Sequence, residues 1–153
     1  MPLTKAQRAL YQHSGHLALP GLFSAEQTAV VVHDIEAWGE QLLADLPAHR
    51  RAWYVDGGVT ARTVLRKLDN PYHQRALVRE LAATPVLVQA VESLIGLNVS
   101  VHFSQIFFKP PEGGRPNLST RWRRACALHY VNAGTCFEHP PLPYDNSLKL
   151  RIS

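Results

Sequence analysis

The sequence predicts an α+β fold in which helices pack on an antiparallel or mixed sheet. Apolar residues recur at three- and four-residue steps mainly before Gly96, which is typical of amphipathic helices. Aromatic and β-branched residues are concentrated after that point, in segments of strand length. Helices followed by a few well-separated strands are the order of an α+β domain. The chain has 153 residues, 46% of them hydrophobic, which is enough for one core and predicts one domain.

The first helices begin at recognisable capping residues. Thr4 is placed to cap a helix that runs to about His13. A capping box starts at Ser24, and the apolar residues after it predict a long amphipathic helix closed by Pro47. Between these helices, the short alternating segment 16–20 predicts a strand that is ended by its proline.

Turn signals and capping residues divide the middle of the chain. The triplet Asp56-Gly57-Gly58 is typical of a turn. Asn70 and Thr84 each precede a proline, as residues do at the start of a helix. These signals predict, in order, a hairpin or loop over 52–61, a strand over 63–68, a helix over 72–83 and a helix over 85–96.

Two strands dominate the last third of the chain. The aromatic and β-branched segment 99–109 predicts a long strand that Pro110 terminates. A loop over 112–117 leads into a second strand over 121–131, and the segment 148–152 could add an edge strand. The predicted sheet therefore has few strands, and they are far apart in sequence.

Charge and hydropathy patterns argue against nucleic-acid partners, membrane insertion and secretion. There are 16 Lys plus Arg against 12 Asp plus Glu, a net charge of +4, and the dense basic cluster is Arg121, Arg123 and Arg124. Alternation in a strand splits this cluster between two faces, so no nucleic-acid partner is expected. No apolar run approaches a membrane span, and the N-terminus lacks a secretory signal. We therefore expect a cytoplasmic protein without a membrane partner, in which Cys126 and Cys136 are free thiols.

Three segments together resemble one enzyme family. Residues 105–114, Gln-Ile-Phe-Phe-Lys-Pro-Pro-Glu-Gly-Gly, look like the strand and loop before the metal site of phytanoyl-CoA dioxygenases. Residues 16–24 with the following helix are similar to that family's opening, and residues 117–130 resemble its closing barrel strand. The resemblance covers nearly the whole chain in the right order. It implies a non-haem iron, 2-oxoglutarate-dependent oxygenase with a double-stranded β-helix, or jelly-roll, core.

The resemblance also names three co-substrate positions. Arg123 falls where the family places the arginine that grips the distal carboxylate of 2-oxoglutarate, a role that suits a guanidinium fork. Gln105 and Lys67 match other positions near the co-substrate. Alternation places Ala125 and Ala127 on the same strand face as Arg123, which leaves room for a compact dianion. One other interpretation stays open for each: Arg123 as a surface arginine on an edge strand, Gln105 as an amide bonded to neighbouring backbone, and Lys67 as a solvated lysine.

The metal ligands of that family are missing from the sequence. The family holds iron with two His and one carboxylate, and the first pair reads His-x-Asp. None of the eight histidines is followed two positions later by Asp or Glu, and the distal histidine position is Glu112. The resemblance predicts that the middle of the barrel is deleted between Gly113 and Asn117. We therefore expect no catalytic residue, no metal ligand, and neither Fe(II) nor 2-oxoglutarate bound by this chain.

These observations predict one truncated domain over 1–153, with a partial jelly-roll sheet. Residues 1–111 form its helical layer and first barrel strand, and residues 117–153 form its closing strand and tail. The favoured interpretation is an inactive relative of the oxygenases. The alternatives are a non-catalytic interaction module or truncated product, and an active oxygenase with an unusual ligand set. Because a partial sheet exposes an apolar face and unpaired edges, we expect a homodimer or another protein to cover it.

Overall fold

The structure is a computed structural model that describes residues 2–56, 64–109 and 123–136. These ranges contain both helices and strands, as expected of an α+β fold. The helices are α1 (Lys5–Ser14), α2 (Ala25–Asp45), α3 (Ala48–Tyr54), α4 (Pro71–Gln74), α5 (Ala76–Ala82) and α6 (Pro85–Ile95). The strands are β1 (Val55–Asp56), β2 (Val64–Leu65), β3 (Lys67–Asp69), β4 (Val99–Lys109) and β5 (Arg123–Asn132).

The N-terminal caps form as the sequence predicts. Thr4 and Ser24 each accept a hydrogen bond from the backbone N–H of the third helical residue, Gln7 and Gln27. Both glutamine side chains accept from the capping backbone in return, which completes two capping boxes. The last helix, α6, has Pro85 in its first turn, also as predicted.

Some local predictions are wrong, each for a local reason. Residues 16–20 alternate in burial, but no described strand lies beside them, so they form a connection. The helix expected over 72–83 is broken at Arg75, whose extended backbone (φ −126°, ψ 119°) separates α4 from α5. Thr84 is the N-cap residue of α6 as predicted, but its hydroxyl makes no capping hydrogen bond and donates instead to the carbonyl of Glu80 at 3.2 Å.

The region after α2 also differs from the sequence prediction. Helix α3 occupies the start of the expected hairpin or loop, and β1 pairs antiparallel with β2. Residues 57–63 lie outside the described residues, so the rest of this expectation stays a prediction. The strand expected over 63–68 is divided at Arg66. The Arg66 backbone N–H donates to the Tyr54 carbonyl at 2.7 Å, whereas its carbonyl accepts from Phe108 N–H at 2.9 Å. Arg66 therefore bonds to different neighbours on its two sides, which separates β2 from β3.

The main sheet has the order β3–β4–β5 and is antiparallel throughout. The central strand is β4: its residue Ile106 pairs with Leu68 on one side and with Cys126 on the other. An irregularity between Val101 and Phe103 shifts the pairing with β5. Both long strands lie where the sequence predicts them.

One face of this sheet packs against the helices and forms the core. Leu68 and Ile106 on this face belong to one cluster with Ile35 of α2 and Val78 of α5. Leu68 and Val78 are fully buried. The other buried members of the cluster are Leu46, Tyr54, Leu65 and Phe108.

Polar contacts attach the helices to each other and to the sheet. Arg75 forms an ion pair with Asp34 of α2. The hydrogen bond from Arg75 holds the pKa of the Asp34 carboxyl below its ordinary value. The Tyr130 hydroxyl of β5 donates to the Ala82 carbonyl of α5 at 2.7 Å. These contacts hold α2 and α5 over the same sheet face.

None of the helices in the described ranges is long and apolar enough to cross a membrane. Cys126 and Cys136 are free thiols. The loop 112–117, Arg121 and the segment 148–152 lie outside the described residues. The predicted deletion site lies there too, so the division of the domain at that site stays a prediction.

Replacement of Leu68 by Ala is expected to lower the free energy of unfolding by about 2–5 kcal/mol, because loss of a fully buried side chain leaves a cavity. Leu97→Ala, at a side chain that is 73% exposed, is expected to change it by less than about 0.5 kcal/mol. Urea unfolding followed by circular dichroism measures both variants. Equal losses would contradict this placement of the core.

Candidate functional site

The sheet face opposite the α2 and α5 helices carries a set of polar side chains. Residues that pair directly across an antiparallel sheet point to the same side. We call this surface the site face; it includes Lys67 and Asp69 of β3, Gln105, Phe107 and Lys109 of β4, and Arg123, Ala125 and Ala127 of β5. The three co-substrate positions named by the family resemblance all belong to it.

A carboxylate on the site face connects two of these predicted residues. Gln105 donates from Nε2 to Asp69 Oδ1 at 2.8 Å. The Lys67 ammonium donates to the same carboxylate, with Nζ 3.3 Å from Oδ1 and 3.2 Å from Oδ2. Trp53 donates from its indole Nε1 to Oδ2 at 3.0 Å. Asp69 therefore accepts from side chains of α3, β3 and β4, and we call these four residues the Asp69 cluster.

The Lys67 ammonium is enclosed between the carboxylate and an aromatic ring. Its Nζ lies 3.8 Å from the centroid of the Trp53 ring, within the range of a cation–π contact. The Lys67 and Asp69 side chains are each 11% exposed. A buried charge is tolerated when it is paired and hydrogen-bonded, as both are here. The pair therefore adds no net charge to the site face.

The three donors decide the ionisation of Asp69. Burial alone would raise the pKa of this carboxyl, but the hydrogen bonds from Gln105, Trp53 and Lys67 together outweigh burial. The pKa of Asp69 therefore lies below its ordinary value, and the group is ionised at neutral pH. A charged acceptor makes each of the three hydrogen bonds stronger than a neutral one would.

Arg123 lies on the same face, apart from the Asp69 cluster. It is exposed at the start of β5 and pairs with Lys109 of β4. Because β3 and β5 are two strands apart, the Cα atoms of Arg123 and Lys67 are separated by roughly 12 Å at ordinary sheet spacings. Ala125 and Ala127 follow Arg123 along the face, and their small side chains leave its guanidinium accessible. An exposed guanidinium can bind one carboxylate through two parallel N–H bonds.

The structure thus brings Lys67 and Gln105 together and leaves Arg123 apart. The interpretation of Lys67 as a solvated lysine is wrong, because it is 9% exposed and paired with Asp69. The interpretation of Gln105 as a backbone-bonded amide is wrong too, since its Nε2 donates to a carboxylate. Sequence reasoning missed Asp69 and Trp53. The Lys-x-Asp spacing within one strand is a signal for Asp69, whereas nothing in the sequence connects Trp53 to it.

The described residues do not provide a set of iron ligands. Within 2–56, 64–109 and 123–136, no three His, Cys, Asp or Glu side chains are grouped so that they could hold a metal ion. Asp69 already accepts three hydrogen bonds, and His129 of β5 lies beside Phe103, with ring centroids 5.6 Å apart. An iron centre made of two His and one carboxylate does not fit these donors.

Comparison with known proteins identifies one class of relative. The chain matches no protein-family model. Over 119 residues it is 26% identical to a probable alpha-ketoglutarate-dependent hypophosphite dioxygenase of Stutzerimonas stutzeri. This match covers 76% of the chain and 41% of the relative, and alpha-ketoglutarate is another name for 2-oxoglutarate. The chain is related to the 2-oxoglutarate-dependent oxygenases.

Solved structures of EctD from S. alaskensis are similar in fold to the present chain. The EctD structure with bound Fe gives a TM-score of 0.58 at 23% identity and covers 71% of this chain and 37% of EctD. The structure with 2-oxoglutarate and 5-hydroxyectoine gives 0.54 at 25% identity and covers 74% and 38%. The chain spans about two fifths of the length of the proteins it matches.

The Asp69 cluster predicts a pH-dependent contribution to stability. Because the pKa of Asp69 in the fold lies below its ordinary 3.8, its charge stabilises the fold above that pH. This contribution is lost as the pH falls through the lower, folded-state pKa. Asp69→Asn is expected to lower the free energy of unfolding by about 1–3 kcal/mol at neutral pH, since Lys67 loses its ionic partner. The loss is expected to be smaller at about pH 3.

Urea unfolding at the two pH values measures this difference. Asp45→Asn, at an exposed position of α2, is the control and is expected to change the free energy of unfolding by less than about 0.5 kcal/mol at neutral pH. An equal loss from Asp69→Asn at both pH values would show that the carboxylate charge does not stabilise the fold.

Proposed function

We propose that this chain is a relative of the phytanoyl-CoA dioxygenase type that performs no oxygenation by itself. The observation that carries the proposal is in the full sequence: none of the eight histidines is followed at the second position by Asp or Glu. Without a His-x-Asp pair, the facial triad that holds iron and leaves positions for co-substrate and oxygen lacks two of its ligands.

Two features support the phytanoyl-CoA type within the oxygenases. Residues 105–109 lie in β4, and the sequence 105–114, which ends in Lys-Pro-Pro-Glu-Gly-Gly, resembles that family's segment before the metal site. The resemblance also implies that the first and last barrel strands belong to one sheet, and β4 and β5 pair side by side. A deletion between Gly113 and Asn117 would make the first and last barrel strands consecutive in the sequence, as β4 and β5 are among the described strands.

The co-substrate positions support weak binding of 2-oxoglutarate at most. Of the two cationic positions that the resemblance names, Lys67 is neutralised by Asp69, with Nζ 3.2 Å from Oδ2. Arg123 is exposed and keeps an accessible charge. An exposed ion pair contributes about 1 kcal/mol or less, because water and salt screen it. A dicarboxylate held by Arg123 alone would therefore dissociate readily.

We expect that Fe(II) and Mn(II) will not raise the melting temperature of the purified chain. A metal ion at 100 times its dissociation constant adds about 2.7 kcal/mol of stability. For a chain of this size that corresponds to roughly 5–10 °C, which an anaerobic melting scan detects easily. Mg(II) at the same ionic strength is the control. A saturable rise with Fe(II) that Mg(II) does not reproduce would contradict the proposal.

Arg123→Ala is expected to weaken the low affinity for 2-oxoglutarate by no more than about fivefold, because the contact is an exposed ion pair. Titration of the chain with 2-oxoglutarate, followed by nuclear magnetic resonance, measures the dissociation constant. Arg51→Ala removes another exposed arginine, in α3, and is the matched control. A micromolar dissociation constant that Arg123→Ala raises about 100-fold would reveal a complete co-substrate site and contradict the proposal.

A further inference from the structure

An apolar groove lies between the helices and the open side of β5. It has a volume of about 570 Å³, within the size range of binding sites in proteins. Its walls include Val31 and Ile35 of α2, Leu87 and Val91 of α6, and Cys126 and Leu128 of β5. Arg124 also lines the groove and is ion-paired with Glu36 of α2. This groove lies on the helix side of the sheet, opposite the site face.

The edge of β5 beside this groove is not protected against pairing. In the part of the chain that the structure describes, β5 pairs with β4 alone. From Ala125 to Val131 the strand contains no Lys, Arg, Asp, Glu or Pro. Edge strands of natural proteins commonly carry such residues, because they block pairing with another chain. The edge and the groove together therefore favour the addition of one more strand.

The two ends of β5 differ in charge. Arg123 and Arg124 lie at its start; Arg124 is ion-paired with Glu36, so Arg123 supplies the positive charge there. Its far end lies beside the C-terminal end of α6, where Asn132 donates from Nδ2 to the Ile95 carbonyl at 2.9 Å. A helix C-terminus carries partial negative charge. In the last turn of α6, Glu92 adds a carboxylate, which accepts from the Asn98 backbone N–H at 3.1 Å.

We propose that a second copy of this chain docks at this edge, so that two β5 strands pair antiparallel about a two-fold axis near Leu128. This arrangement places the arginines of each copy against the far end of the partner's β5, where the α6 terminus and Glu92 lie. The two arginine pairs are then roughly 27 Å apart at ordinary strand spacing. Parallel pairing would instead place like charges side by side, which is unfavourable.

A second copy also covers the groove. Cys126, Leu128 and Tyr130 point from β5 to the helix side and line the groove. When two β5 strands pair, these side chains of one copy lie over the groove of the other, and the reverse holds by symmetry. One contact thus covers both grooves and joins two three-stranded sheets into a continuous one. This self-complementarity favours a second copy over an unrelated strand.

Sedimentation velocity of the purified full chain, at about 1 to 50 µM, tests the proposal. We expect a species of twice the chain mass of 17.1 kDa. Cys126→Lys places a charge on the groove side of the edge and is expected to raise the dissociation constant of the dimer by roughly 100-fold or more. Leu10→Lys places the same charge at a 53% exposed position of α1, away from β5, and is the matched control. It is expected to change the dissociation constant by less than about threefold.

Hydrogen exchange provides a second measurement that needs no variant. The backbone amides of β5 should exchange more slowly at high than at low protein concentration, whereas those of α2 should not change. A monomer over the whole concentration range, assemblies larger than a dimer, or exchange that is independent of concentration would overturn the proposal. Dissociation by Leu10→Lys as strong as that by Cys126→Lys would also overturn it, because the loss would then not depend on the edge of β5.

Discussion

The antiparallel register of β4 with its two neighbours is the constraint on which the rest of this molecule depends. Because side chains alternate along each strand, the register alone directs Leu68 and Ile106 to the helices and Lys67 and Gln105 to the opposite face. A slip of one residue would exchange the two sets and bury an ammonium group in the apolar core. The core and the Asp69 cluster both follow from this one pairing.

The site face is stabilised by internal pairing, and the residues that the structure describes do not group into an iron centre. In the Asp69 cluster, an ionised carboxylate is surrounded by Lys67, Gln105 and Trp53, so its acceptor capacity is used within the protein. EctD, which shares the fold, has been solved with bound Fe and with 2-oxoglutarate. The present chain is similar in fold to about two fifths of EctD, and none of its eight histidines has the His-x-Asp spacing.

The parts of the fold that sequence predicts well are those that depend on neighbouring residues. The capping boxes at Thr4 and Ser24 and the β-branched content of β4 are local signals, and the structure contains all three elements. The breaks at Arg66 and Arg75 depend on partners in other elements, so local patterns miss them. The same distinction explains which site residues were predicted. Alternation along a strand assigns Arg123 to one face, whereas the contact of Trp53 with Asp69 depends on where α3 packs, which local sequence does not determine.

We propose that this chain, although it is similar in fold to EctD, does not bind iron. Calorimetric titration of Fe(II) into the purified chain, with 2-oxoglutarate present and oxygen removed, measures this directly. We predict that the heat of injection will show no saturable binding. One-to-one saturation with a micromolar dissociation constant would contradict it and would show that the chain assembles an iron site from other residues.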